Sequence, residues 1–160
     1  MRNIEIFKEI SGLALAQAYD SFPLKISILP SDLALALSDD LWDESQRLIA
    51  ENHHEYVRNR SPIGLAAPTV KWLIEYGFLS CERYHDGEFS GVSLTAKGLE
   101  SIESQEGAGE KLVKAAAGLV KEELKEQARA QLSNVFTALM SWGIKNAPTI
   151  YASISKAGGL

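Results

Sequence analysis

The sequence predicts a mostly α-helical chain with one small antiparallel β-hairpin, an α+β protein closed by a long C-terminal helix. Three observations lead there. Apolar residues recur at spacings of three and four in several separate stretches. Asp86-Gly87 stands between two short alternating runs, a hairpin signal because both central positions of a type I′ turn need positive φ. At Thr95 the spacing switches abruptly from two to three and four, which marks the end of a strand and the start of a helix.

The elements follow in order. Ile6, Ile10 and Leu13, flanked by Phe7, Ala14 and Ala18, give a first helix over residues 4–18. Pro23 and Pro30 close that pattern, since neither fits inside a helix. Residues 25–29 between them are short and β-branched, and suit an edge strand. Ser31 and Asp32 are good N-caps for the short apolar turn that follows.

A second helix begins at Ser38 or Asp39. Asp40, Asp43 and Glu44 crowd its first turns, where carboxylates complement the helix dipole. It ends near residues 58–61, before Pro62. Pro68 falls in the first turn of the next helix, with Val70, Leu73 and Ile74 facing inward and Gly77 at the left-handed C′ position. Residues 78–84 and the Val92–Leu94 side form the arms of the hairpin. Thr95 caps the next helix, and Gly98 removes a side chain where that helix packs close to the sheet.

The tail has its own pattern. Residues 106–110 read as a boundary between a domain at 1–105 and a helical extension at 106–160. From 111 to 142, Val113, Ala117, Val120, Leu124, Ala128, Leu132, Val135, Leu139 and Trp142 step by threes and fours. A single helix of that length spans roughly 48 Å. It ends at Gly143 and Pro148, and the last dozen residues are loosely held. Such a stripe must be covered. The tail therefore docks back on the domain or self-associates through residues 111–142.

The string from 71 to 102 carries a resemblance. Trp72, Leu73, Gly77, Phe78 and Leu79 are followed, after the hairpin, by Leu94, Thr95, Lys97 and Gly98. This is similar to the second half of many bacterial winged-helix proteins, where a helix ending in that phrase leads into a wing and then into Leu-Thr-x-Lys-Gly. The resemblance covers about residues 68–102; residues 4–60 match in helix order. It implies a winged-helix domain followed by a long C-terminal helix. It also implies that the helix before the hairpin enters a DNA groove while the wing touches the backbone. On that pattern Thr69, Lys71 and the preceding Arg58 and Arg60 approach DNA, and Arg83, His85 and Lys97 are the wing-side contacts.

Charge argues for a different partner. Residues 1–105 hold 9 Lys+Arg against 16 Asp+Glu, and residues 106–160 hold 7 against 5. DNA affinity rests largely on phosphate neutralisation, which a half carrying −7 supplies poorly. The one cysteine, Cys81, excludes an internal disulfide and reads as a buried structural thiol on a strand. Adjacent His53 and His54 point about 100° apart on a helix and do not converge on one ion. No phosphate-binding glycine loop, nucleophile elbow or metal-ligand spacing is present. The longest charge-free run, 130–144, is 15 residues and includes Gln131, Ser133, Asn134 and Ser141, short of the roughly 20 a membrane span needs. The start lacks the uninterrupted apolar stretch of a secretory signal.

The expectation is a cytoplasmic, non-enzymatic winged-helix module without cofactor or metal. It acts in protein–protein interaction or regulatory assembly. The alternative is a dimeric DNA-binding transcriptional regulator whose tail sets the half-site spacing.

Overall fold

The structure is a computed structural model that describes residues 3–37 and 62–157. The helix expected from residue 38, its acidic first turns and His53-His54 lie outside the described residues.

Helix α1 (Asn3–Ser21) is the centre of the molecule. Its expected face, Ile6, Ile10, Leu13 and Ala14, is buried. Burial does not stop at one face, however: every residue from 9 to 16 is buried. A helix enclosed on all sides needs small residues where neighbours come close. Gly12 meets this need, because a Cβ there would press into the Leu132 carbonyl of the last helix.

Strand β1 (Ile26–Ile28) forms where an edge strand is expected and pairs antiparallel with the last strand. Helix α2 (Pro30–Leu37) starts one residue before its predicted caps. Proline is suited to this first position, since its missing N–H would have no partner inside the helix. Leu33, Ala34 and Leu37 turn inward.

Helix α3 (Pro62–Glu75) begins six residues earlier than expected, so Pro68 lies inside it rather than in its first turn. An interior proline costs about 3 kcal/mol; the inward face of Ala66, Val70 and Leu73, fully buried, offsets that cost. The C-terminus closes as predicted. Gly77 has φ +81°, its N–H donates to the Ile74 carbonyl at 3.1 Å, and the Phe78 N–H donates to the Leu73 carbonyl at 2.9 Å.

Strands β2 (Leu79–Ser80), β3 (Arg83–His85) and β4 (Glu88–Leu94) form the hairpin. Strand β4 is central, with β1 on one side and the interrupted arm β2–β3 on the other. Asp86 and Gly87 have φ of 51° and 76°, the positive values a type I′ turn requires. Gly91, at φ 65°, lies where the register with β1 shifts between Ile26↔Val92 and Ile28↔Phe89.

Helix α4 (Ala96–Glu103) starts at the predicted cap. Thr95 Oγ1 accepts from the Gly98 N–H at 3.0 Å. A Cβ on Gly98 would overlap the Phe78 carbonyl oxygen, so the expected close approach is observed.

The tail differs from the expected single helix. Helix α5 (Ala108–Gly118) ends at a glycine, Lys121 is extended, and a 3₁₀ turn (Glu122–Leu124) leads into α6 (Lys125–Ala157). Glu122, Glu123 and Glu126 sit where the new helical segment begins, a position that favours negative charge. The break resets the phase. In α5 the buried face is Ala108, Leu112 and Ala115, with Leu119 just beyond the helix; Val120 is 87% exposed. In α6 the expected residues Ala128, Leu132, Val135 and Leu139 are buried, joined by Phe136. Helix α6 continues through Gly143 and Pro148, the expected stops, to Ala157.

Both tail helices pack on α1, and their buried residues belong to one cluster with Ile10, Leu15, Leu73 and Phe89. Of the two destinations expected for the stripe, docking on the same chain is what the structure has. The self-association surface read into residues 111–142 is thereby largely enclosed. No helix among the described residues is long and apolar enough to cross a membrane.

Candidate functional site

The outer side of α3 and the hairpin arm β2–β3 enclose an open cleft of about 290 Å³, lined by Lys71, Ile74, Glu75, Cys81, Glu82, Arg83, Tyr84 and Phe89. Its walls come from two periodicities. Lys71, Ile74 and Glu75 lie three and four apart and share one helical face. The other wall is a short strand arm turned outward, all of whose β3 residues are exposed.

An aromatic column fixes α3 from behind. Trp72 stacks on Tyr76 at 4.5 Å and meets Phe7 of α1 edge-on at 5.1 Å. Phe7 in turn meets Phe136 of α6 at 5.5 Å. The position of the cleft wall thus depends on the tail, which holds α1 and α3 in place.

The seven sequence-predicted contacts separate into five groups. Arg58 and Arg60 lie outside the described residues. Thr69 is buried, 3% exposed, with its hydroxyl donating to the Leu65 carbonyl at 2.7 Å. It faces the core, so it does not belong to the contact surface. Lys97 is half-buried and caps α3: its ammonium donates to the Tyr76 carbonyl at 2.7 Å and lies 4.8 Å from the centre of the Phe78 ring. His85 is exposed beside the turn, with Nε2 3.1 Å from the Asp86 carboxylate. Lys71 and Arg83 both line the cleft.

Lys71 Nζ sits 4.6 Å above the Tyr84 ring, within cation–π range. Glu82 pairs with Lys25 just ahead of β1, so one of the two cleft carboxylates is already neutralised. Cys81 is half-buried rather than fully buried, and its Sγ lies 3.3 and 3.4 Å from the carbonyls of Arg83 and Ser90. The rings of Tyr84 and Phe89 lie 4.4 Å apart, tilted by 36°, and form the apolar part of the lining.

Sequence reasoning missed Ile74, Glu75, Tyr84 and Phe89 as site residues. The available signal was the Lys71–Glu75 spacing on one helical face, followed by the short hairpin arm that the turn at Asp86-Gly87 brings beside it. Among the described residues, no group of three or more His, Cys, Asp or Glu side chains is arranged to hold a metal. Compared with protein-family models, curated proteins and solved structures, the chain matches none.

Proposed function

We propose that the chain is a non-enzymatic winged-helix module that reads a protein partner within a regulatory assembly. The order of the described elements supports the fold reading: helix, strand, helix, helix, capped hairpin, helix. So do Thr95 and Gly98, which occupy the junction roles that the Leu-Thr-x-Lys-Gly pattern implies.

The observation that carries the choice of partner is the interleaving of charge on the outer side of α3 and the hairpin. Lys71 and Arg83 stand among Glu75, Glu82, Asp86 and Glu88. A duplex presents a negative charge about every 1.7 Å along its axis. Phosphates brought to this face meet carboxylates in the same region as the two cations, which weakens their attraction. A protein partner with mixed charge meets no such conflict.

Titration of a labelled random-sequence duplex tests the reading. At about 50 mM salt, micromolar full-length chain is expected to leave the duplex unbound. Binding that weakens steeply as salt rises would replace this reading with the dimeric DNA-binding regulator. In favour of that alternative stand Lys71 and Arg83, which share one cleft on the helix and hairpin that a winged-helix regulator uses.

A further inference from the structure

We infer that the tail exchanges between copies: the break at residues 119–124 straightens, and α6 docks on the α1 of a second chain instead of its own. The partner is a second copy, recognised through contacts that each chain already makes within itself. The exchange is independent of which partner the winged-helix face reads.

The first support is a conflict between local sequence and structure. Residues 119–126, Leu-Val-Lys-Glu-Glu-Leu-Lys-Glu, contain no glycine or proline and are good helix formers apart from Val120. Lys121 is nevertheless extended, at φ −103° and ψ 116°. The N–H groups of Leu119, Lys121 and Leu124 reach back only three residues, to carbonyls at 3.3, 3.2 and 3.0 Å. The break leaves Val120 87% and Leu124 38% exposed. A continuous helix would carry both in line with Ala117 and Ala128. Docking on α1 imposes the break, and the local sequence opposes it.

The second support is helical geometry. Leu112 of α5 and Leu132 of α6 are both fully buried, and both helices pack on α1. On one straight helix, residues at these two positions face about 160° apart. Only a bend lets both reach the same α1. With the bend removed and α5 kept in place, the buried face of α6 turns to the opposite side. There the α1 of a second chain supplies the matching surface: Gly12 for Leu132, Glu9 for Arg129 and Phe7 for Phe136. The contacts already established within one chain are reused between two, so no new complementarity is required.

The exchange has a consequence for the cleft. Phe136 holds Phe7, and through it Trp72, behind α3. In the exchanged pair each cleft takes that support from the other chain. The pair also presents two α3–hairpin faces joined by continuous helices. A partner with two binding segments then meets the second face at high local concentration.

Exchange requires α6 to leave α1. The full chain is therefore held at a concentration on the order of millimolar in urea near its unfolding midpoint, returned to buffer and sized by light scattering. A dimer that survives dilution is expected. Glu122→Pro blocks it selectively. Glu122 opens the 3₁₀ turn, a first helical position that proline suits, and extended Lys121 is the conformation proline requires before it. The same proline would sit inside a straightened helix. This variant should keep the unfolding midpoint and dimerise about a hundredfold more weakly. A native chain that stays monomeric, or a Glu122→Pro chain that dimerises equally, overturns the proposal. Mixing identifies the exchanged element. Glu9→Arg and Arg129→Glu each set like charges together within one chain. Refolded together, the two chains should form a mixed dimer in which both contacts again join opposite charges, while the double variant on one chain refolds as a monomer. If that control refolds and the mixture holds no more mixed dimer than random pairing gives, the copies do not exchange α6 and the proposal is overturned.

Discussion

Glu9 and Arg129 form an ion pair between α1 and α6, with N–O distance 2.8 Å and side chains only 11% and 16% exposed. Burial pushes the Glu9 carboxyl above its usual range. The hydrogen bond and charge of Arg129 oppose that shift without cancelling it, and Glu5 adds to it. The folded chain therefore keeps this proton to a higher pH than the unfolded chain does. Stability from this group is fully present below the ordinary carboxylate pKa and falls as pH rises through the raised value. Arg129→Met removes the group that holds the carboxylate ionised. The variant is expected to lose about 3–5 kcal/mol at neutral pH, where Glu9 must be buried charged and unpaired. Near pH 4 the loss should shrink, because a protonated Glu9 no longer needs the guanidinium. Urea unfolding of both proteins across this range checks it; a pH-independent difference would mean that Arg129 acts through packing alone. At this scale the sequence was most legible where the signal is local. Thr95, Gly77 and Asp86-Gly87 each meet a backbone requirement set within a few residues. The burial of Thr69 and the Lys97 cap on α3 were not legible, because both depend on what lies next to them in the fold, which local spacing does not specify.

The same distinction operates between elements. Helix α4 is capped by Thr95, whose hydroxyl donates to the Gly77 carbonyl and whose backbone N–H donates to the Phe78 carbonyl, so the end of α3, the hairpin and α4 meet at one threonine. Gly98 is the close-contact point of this junction. Gly98→Ala would set a methyl against the Phe78 carbonyl oxygen, a backbone atom that cannot swing away. The expected loss is about 2 kcal/mol or more, from overpacking and from lifting α4 off the hairpin. Gly118→Ala is the contrast, since its Cβ would lie 3.4 Å from the Ala128 Cβ, near ordinary contact. That substitution should leave stability within about 0.5 kcal/mol or raise it slightly. Urea midpoints at equal m-value distinguish the two, and equal effects would show that the junction yields. The tail was less legible. A three-and-four stripe can be followed across Gly118 without noticing that the helix has stopped, and the error surfaces as Val120 facing solvent. Beyond the break the stripe of Ala128, Leu132, Val135 and Leu139 was correct, because no interruption separates those residues.

For the whole molecule, the decisive fact is that α1 has no free side. Between residues 9 and 16 it is covered by α5 and α6 as well as by α2, α3 and β4. Composition suggested a boundary near residues 106–110, and a change in composition does mark where the chain turns. It does not reveal that both segments share one core, because burial of α1 on all sides is a property of the assembled fold. Gly12 against Leu132, Tyr19 against Gly109, and the Tyr19 hydroxyl donating to Glu103 at 3.0 Å hold the early chain to the later helices. A chain cut after Gln105 would expose Ile6, Ile10, Leu13 and Leu15 to the extent that α5 and α6 cover them. It would also lose Phe136, which holds the aromatic column behind α3. Apolar burial is worth about 25 cal/mol per Å², and stability of a domain this size is only about 5–15 kcal/mol. The truncated chain is therefore expected to lose cooperative unfolding, to bind a hydrophobic dye, and to associate through the uncovered face of α1. The full chain should show a single cooperative transition. If residues 1–105 instead unfolded cooperatively as a monomer with unchanged α3–hairpin chemical shifts, the tail would be an appendage, and the cleft would owe its geometry to the hairpin and α3 alone.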